Sequence, residues 1–239
     1  MVQREYSMRN LAIGFSSIRP ASLSEDVCDA RENEYFLCIE QLLRVLPKSF
    51  DFILCENTID DPQQIKLDLL RSLLSKLEMC STGSKSNIGM TNKGVGELLQ
   101  LKTALDQVDI DKYENISYVT TRGYLTCPYV FEKTEQLKKQ ALLSNPDFIW
   151  LNGKVIGASK NLFNDQFFSM KSKTMLDYAD YSVSRLEHLS KNHIGSEYNL
   201  YNFVVENDIE YEWLPWLGRV RNDWTANGNV FDASNFHIC

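Results

Sequence analysis

Residues 11–20 read LAIGFSSIRP and residues 50–58 read FDFILCENT. Each is a short apolar run that stops at turn-forming polar residues, the pattern of a buried strand ending in a loop. Between them, ENEYFLCIEQLLRVL (residues 32–46) sets Tyr35, Phe36, Ile39, Leu42, Leu43 and Leu46 at helical spacing, with Pro47 beyond as a stop. The first third therefore predicts β-α-β. A strand, helix, strand succession implies a mostly parallel sheet with helices on both faces, and such sheets take their ligands at the carboxyl ends of the strands.

The alternation continues along the chain. DPQQIKLDLLRSLLSKL predicts a helix from Ile65 through Leu77, with Asp61 as N-cap and Pro62 in the first turn. The polar stretch STGSKSNIGMTNKG (residues 81–94) then leads into the helix VGELLQLKTALDQV; a loop of that length in a compact domain suggests function. ISYVTTRGYL reads as a strand, YVFEKTEQLKKQALL as a helix, and DFIWLNGKVIGAS as a strand with a hairpin turn at NGK. FFSMKSKTMLDYADYSVSRLEHL reads as helix, KNHIGS as a turn, EYNLYNFVVEN as a helix, and the aromatic tail IEYEWLPWLGRV as a segment packed back on the sheet. The expectation is a single α/β domain over residues 1–239, without internal repeat or flexible linker.

Composition narrows the partners. With 32 acidic against 25 basic residues the net charge is -7, which disfavours nonspecific binding to nucleic acid. No run approaches the length of apolar sequence, about 18 residues, that a membrane span needs. The opening MVQREYSMRN lacks the apolar centre of a secretory signal, so the chain is expected in the cytoplasm. The six cysteines are scattered singly, without zinc spacing, and Cys38 and Cys55 read as small buried apolar residues. His188, His193 and His237 form no ligand pattern with carboxylates.

Four polar places carry the candidate chemistry. In NIGMTNKGVGELL, Gly89, Gly94 and Gly96 permit close backbone approach, Lys93 supplies a cation and a helix follows at once, which suits a diphosphate; an ordinary glycine turn gives the same string. In TTRGY (residues 120–124), Arg122 offers a fork of donors for a phosphate, beside the hydroxyls of Thr120 and Thr121, or is a surface arginine. In HIGSEYNLYNFV, Ser196 caps a helix and Glu197 lies in its first turn, either as a neighbour of the cap or as a general base for a hydroxyl. Asp165 and Gln166, ahead of two phenylalanines, are candidates to hold sugar hydroxyls.

Taken in order, AIGFSSIR, FDFILCENT, SNIGMTNKGVGELLQLKTAL, ISYVTTRGYL, DQFFSMK and GSEYNLYNFV resemble the small GT-A-type glycosyltransferases of bacterial and large-virus surface-polysaccharide systems, over about residues 10 to 220. The resemblance implies a Rossmann-like domain that moves a sugar from a nucleotide-diphosphate sugar to a glycan or lipid-linked acceptor, with contact to a membrane surface open. It implies that Ser16, Arg19, Glu56 and Asn57 cradle base and ribose, that Lys93 and Gly94 approach the diphosphate, and that Glu197 acts as base. Many relatives carry paired aspartates and Mg²⁺ or Mn²⁺ where this chain has TTRGY, so Arg122 stands where a divalent ion would neutralise phosphate, and metal dependence stays open. A sugar nucleotidyltransferase is the first alternative, although its glycine-rich basic loop is replaced here by SSIRP; a non-catalytic module binding nucleotide or sugar, with Trp213 and Trp216 as stacking surfaces, is the second.

Overall fold

A computed structural model describes residues 8–81, 93–144, 150–151, 154–155, 162–215, 217 and 219–221. The β-α-β start is present: β1 (Arg9–Ser16), α1 (Glu25–Val45) and β2 (Phe50–Glu56), with β1 and β2 parallel from Asn10↔Phe50 to Ser16↔Glu56. A 3-10 turn (Pro62–Gln64), α2 (Asp68–Leu74), β3 (Glu78–Ser81) and α3 (Lys93–Leu105) follow. Next come β4 (Tyr113–Thr120), β5 (Gly123–Leu125), α4 (Tyr129–Glu135) and β6 (Ala141–Leu143), then the short pair β7 (Trp150–Leu151) and β8 (Lys154–Val155). The described part closes with β9 (Phe167–Lys171), α5 (Ser172–Ser184), α6 (Leu186–Lys191), α7 (Ser196–Glu206), β10 (Tyr211–Trp213) and β11 (Arg219–Arg221).

Seven strands form one sheet in the order β10-β6-β9-β4-β1-β2-β3. All run parallel except β9, which is antiparallel to β4 and β6 on either side. Alternation along β1 splits the core: Leu11, Ile13 and Phe15 face α3, α5 and α7 with Tyr118, Phe168 and Phe203, while Ala12 packs opposite with Phe50, Phe131 and Phe167. Across the first face Phe15 stacks on Tyr118 at 4.1 Å and Tyr118 on Phe168 at 4.7 Å, tying three adjacent strands together. Burying each such ring or aliphatic side chain contributes about 1.5–3 kcal/mol.

The structure departs from the sequence reading where backbone donors are taken by distant carboxylates. Asp61 caps the 3-10 turn as expected, accepting from Gln63 N at 2.8 Å, but the helix then breaks. Lys66 N and Leu67 N donate to the Glu32 carboxylate at 3.2 and 2.7 Å, so the chain is extended there and α2 starts only at Asp68. The predicted helix 129–143 stops at Glu135 in the same way. Lys138 N and Lys139 N donate to Glu212 Oε1, and Ala141–Leu143 is a strand.

FFSMK is a strand, not the start of a helix: Phe167 faces one core and Phe168 the other, so both faces are buried and no alternation marks it. ISYVTTRGYL is two strands with a turn at Thr121–Arg122, and α1 begins at Glu25, earlier than its apolar period. Trp150 pairs antiparallel with Val155 and Leu151 with Lys154, while Asn152 and Gly153 of the expected NGK turn lie outside the described residues. Cys28, Cys38, Cys55 and Cys80 are buried. No helix among the described residues is long and apolar enough to cross a membrane.

Candidate active site

The loops after β1, β2 and β4 leave the same end of the sheet, and the segment before β9 enters it there because β9 runs the other way. Sheet order therefore sets the site out as a row: β2, β1, β4, β9.

At the β1–β2 end the two loops are sewn together. Ser17 Oγ donates to Asn57 Oδ1 at 2.6 Å, Arg19 N donates to Thr58 Oγ1 at 2.8 Å, and Ser16 Oγ donates to Cys55 O at 3.0 Å. Glu56 has no solvent exposure and accepts from Ile18 N at 3.3 Å, from Thr58 N at 2.7 Å and from the Thr58 hydroxyl. Burial pushes its carboxyl above the usual carboxylate range, against the pull of the hydrogen bonds from Ser16 and Thr58.

Helix α1 supports both loops with residues that the sequence reading passed over. Arg31 donates from Nε to Ile18 O at 3.3 Å and from its terminal nitrogen to Ser17 O; the Tyr35 hydroxyl accepts from Ser17 N at 3.0 Å. Burial raises the Tyr35 phenol to about 12, which keeps it neutral. Glu32 joins Arg19 to the β2–α2 connection. These side chains continue the stripe Cys28, Tyr35, Cys38, Ile39, Leu42, so polar residues at core positions were the available signal. The Arg19 guanidinium itself is enclosed by Glu25, Asp29 and Glu32, and Lys66 bridges to Glu25 and Asp29.

At the centre, Thr121 anchors the turn after β4: its N–H and its hydroxyl both donate to Phe15 O, at 3.0 and 2.7 Å. Gly14 allows this approach, since a Cβ there would lie 2.8 Å from both the Phe52 ring and Thr121 Cγ2. Arg122 donates to Glu34 Oε2 at 3.2 Å, linking the strand end to α1. Thr120 N donates to Gln166 O at 2.9 Å, which joins the centre to the β9 end.

At the β9 end, two helix starts meet. A Cβ on Gly94 would sit 2.9 Å from Ser196 N, so the first turn of α3 lies directly against the first turn of α7. The Ser196 hydroxyl donates to Asp165 Oδ2, and the Tyr118 hydroxyl donates to Glu97 Oε2 at 3.2 Å. Glu197 folds back over the helix start: a Cβ on Gly195 would be 2.6 Å from its Oε2. Burial raises the Tyr118 phenol, and the charges of Glu97 and Asp165 raise it further. Glu97 is the residue of this end that the sequence reading missed; its apolar neighbours in VGELLQL hid it.

The structure thus brings Ser16, Arg19, Glu56, Asn57, Thr121 and Arg122 together around β1, and Gly94, Asp165, Gln166 and Glu197 around the start of β9. Lys93 opens α3, while its side chain and Gly89 lie outside the described residues. The end of β4 does not fit a divalent ion: Arg122 is a cation, and the Thr121 hydroxyl is committed to Phe15 O.

No protein-family model matches the chain, and no curated protein matches it. Solved structures do. A protein described as a nucleotide-diphospho-sugar transferase from Desulfovibrio desulfuricans G20 aligns with a TM-score of 0.53 at 12% identity, covering 86% of this chain and 79% of its own. The inositol-1-phosphate CTP transferase of T. maritima aligns with a TM-score of 0.53 at 13% identity, covering 90% and 88%. These likenesses show the fold: a mixed α/β domain with a mostly parallel seven-stranded sheet flanked by helices.

Proposed function

We propose that the chain is a glycosyltransferase that moves a sugar from a nucleoside-diphosphate sugar to a hydroxyl of a glycan or lipid-linked acceptor, in the surface-polysaccharide setting that its sequence resembles. The supporting observation is the state of the β1–α1 loop. It holds no glycine, and its cation, Arg19, is enclosed by three carboxylates, so it makes a poor cradle for the triphosphate that nucleotidyl transfer requires. A rigid loop of this kind serves instead to seat a base and ribose beside Ser17 and Asn57.

In this reading Arg122 meets the diphosphate and offsets its growing charge as the bond to the sugar breaks. Glu197 takes the proton from the acceptor hydroxyl while that oxygen bonds to the anomeric carbon; the electron pair of the broken carbon–oxygen bond leaves with the diphosphate. Asp165 and Gln166 hold sugar hydroxyls. No step is routed through a metal.

The products separate this reading from the nucleotidyltransferase that the second structural likeness brings to mind. Incubation with UDP-, GDP- and CDP-sugars should release the nucleoside diphosphate, and incubation with nucleoside triphosphates and sugar 1-phosphates should release no pyrophosphate. Pyrophosphate release with no turnover of any nucleotide sugar would reverse the assignment.

A further inference from the structure

Two thiols stand side by side outside the groups assigned above. Cys55 on β2 and Cys80 on β3 are register partners in a parallel pair, and both enter the same core cluster, so their side chains share one face of the sheet. Neighbouring strands run about 4.8 Å apart, within the roughly 4.4–6.8 Å of Cα separation that a disulfide spans. The side chains already interact: the Cys55 thiol donates a hydrogen bond to the Cys80 sulfur, with Gln100 O as a second acceptor at 4.0 Å. Register, face and contact thus suit a bond between the two sulfurs with no change in strand pairing. The other two buried cysteines do not: Cys28 and Cys38 lie on one helix, about 15 Å apart along its axis.

The pair is asymmetric. The hydrogen bond from Cys55 holds the Cys80 thiol below the usual thiol range, and one from Gln107 adds to this against the opposing effect of burial. The same shared hydrogen bond, together with burial, pushes the Cys55 thiol up. Cys80 is therefore the sulfur that attacks first. Access favours it too. In the seven-stranded sheet β3 is the edge strand, four residues long, and an edge opens locally at less cost than the interior strand β2 that carries Cys55.

We propose that Cys55 and Cys80 are a redox modification site, closed to a disulfide by hydrogen peroxide and reopened by small thiols. The Cys80 sulfur attacks one peroxide oxygen: an S–O bond forms, the O–O bond breaks, and the departing hydroxide takes the thiol proton and leaves as water. The Cys55 sulfur then displaces the sulfenic oxygen: the S–S bond forms, the S–O bond breaks, and that oxygen leaves with the Cys55 proton as a second water. Two thiols are oxidised and one peroxide is reduced. Thiol–disulfide exchange reverses the bond. The bond would join the residue before Glu56 to the residue before Ser81, clamping the edge strand to the β2 end of the candidate site. None of this depends on which reaction that site catalyses.

The test is peptide mass mapping of the folded full chain after brief exposure to hydrogen peroxide and alkylation of the remaining thiols. A linked Cys55–Cys80 peptide is expected, lost again after dithiothreitol, with Cys28 and Cys38 still reduced. Cys55→Ala should leave Cys80 as a sulfenic acid that dimedone captures, and Cys80→Ala should leave Cys55 unmodified. Thermal melting shows whether each variant is folded; if one is not, mapping of the unaltered chain decides alone. No linked peptide at a peroxide dose that oxidises the partly exposed Cys127, a link that forms only in urea, or dimedone capture at Cys55 in Cys80→Ala would overturn the proposal.

Discussion

Glu34, on α1, holds Arg122, at the end of β4: the two are 3.2 Å apart, and the carboxylate side chain is only 2% exposed. A buried carboxylate that loses its cation is left uncompensated, so the pair anchors the turn after β4 to α1. Arg122→Ala is expected to cost about 2 kcal/mol, below the roughly 3–5 kcal/mol of a fully buried pair because the guanidinium is partly exposed. Urea unfolding of Arg122→Ala, Glu34→Gln and the double variant should show a favourable coupling; additive losses would mean the pair does not act as one. Arg122→Lys should restore stability better than it restores turnover, since an ammonium cannot reproduce the fork.

Glu197→Gln should lower transfer by about 10²–10⁴-fold while leaving nucleotide affinity near that of the unaltered chain, as expected for loss of a general base. Turnover with a saturating nucleotide sugar, together with calorimetric affinity, reads both quantities. Equal turnover in the variant would remove Glu197 from the reaction.

Gly94→Ala should separate α3 from α7, because the added carbon would meet Ser196 N at 2.9 Å and neither backbone can yield freely. A loss of about 1–3 kcal/mol is expected in denaturant unfolding. The Ser196–Asp165 contact should be disturbed with it, so transfer should fall by more than the unfolded fraction explains.

Glu56 makes stability depend on pH with a defined sign. Its folded carboxyl titrates above the unfolded one because of burial, so the folded chain holds that proton more tightly. The resulting stabilisation is complete below the unfolded value, about 4.3, and is lost as pH rises through the higher folded value. Glu56→Gln abolishes this term, and its stability relative to the unaltered chain should climb with pH across that interval. Unfolding curves at stepped pH give the difference directly; parallel profiles would mean that Glu56 titrates normally.

The parallel frame was legible in the sequence because β1 and β2 are dense apolar runs with abrupt polar ends, and because α3 and α7 have clear periods. The Asp61 cap and the pairing of β7 with β8 were legible for local reasons too, each depending on neighbours within a few residues. What escaped the reading depends on distant partners. The break before α2 is set by Glu32, far away in sequence, and the end of the helix at Glu135 by Glu212. Strand β9 escaped because it is buried on both faces and passes into α5 without a turn residue. The polar stretch of α1 was visible as Arg31, Glu32, Glu34 and Tyr35, but its purpose depends on loops folded over it.

The reversed direction of β9 has a consequence for how this fold diversifies. Strands β6 and β9 are antiparallel neighbours, so the connection from Leu143 to Phe167 both leaves and returns at the site end of the sheet. Its length is not fixed by the register of the seven-stranded sheet. Insertions and deletions there would leave every rung of the seven-stranded sheet in place, so under the proposed function recognition beside Asp165 could be rewritten in one segment while that sheet is inherited intact.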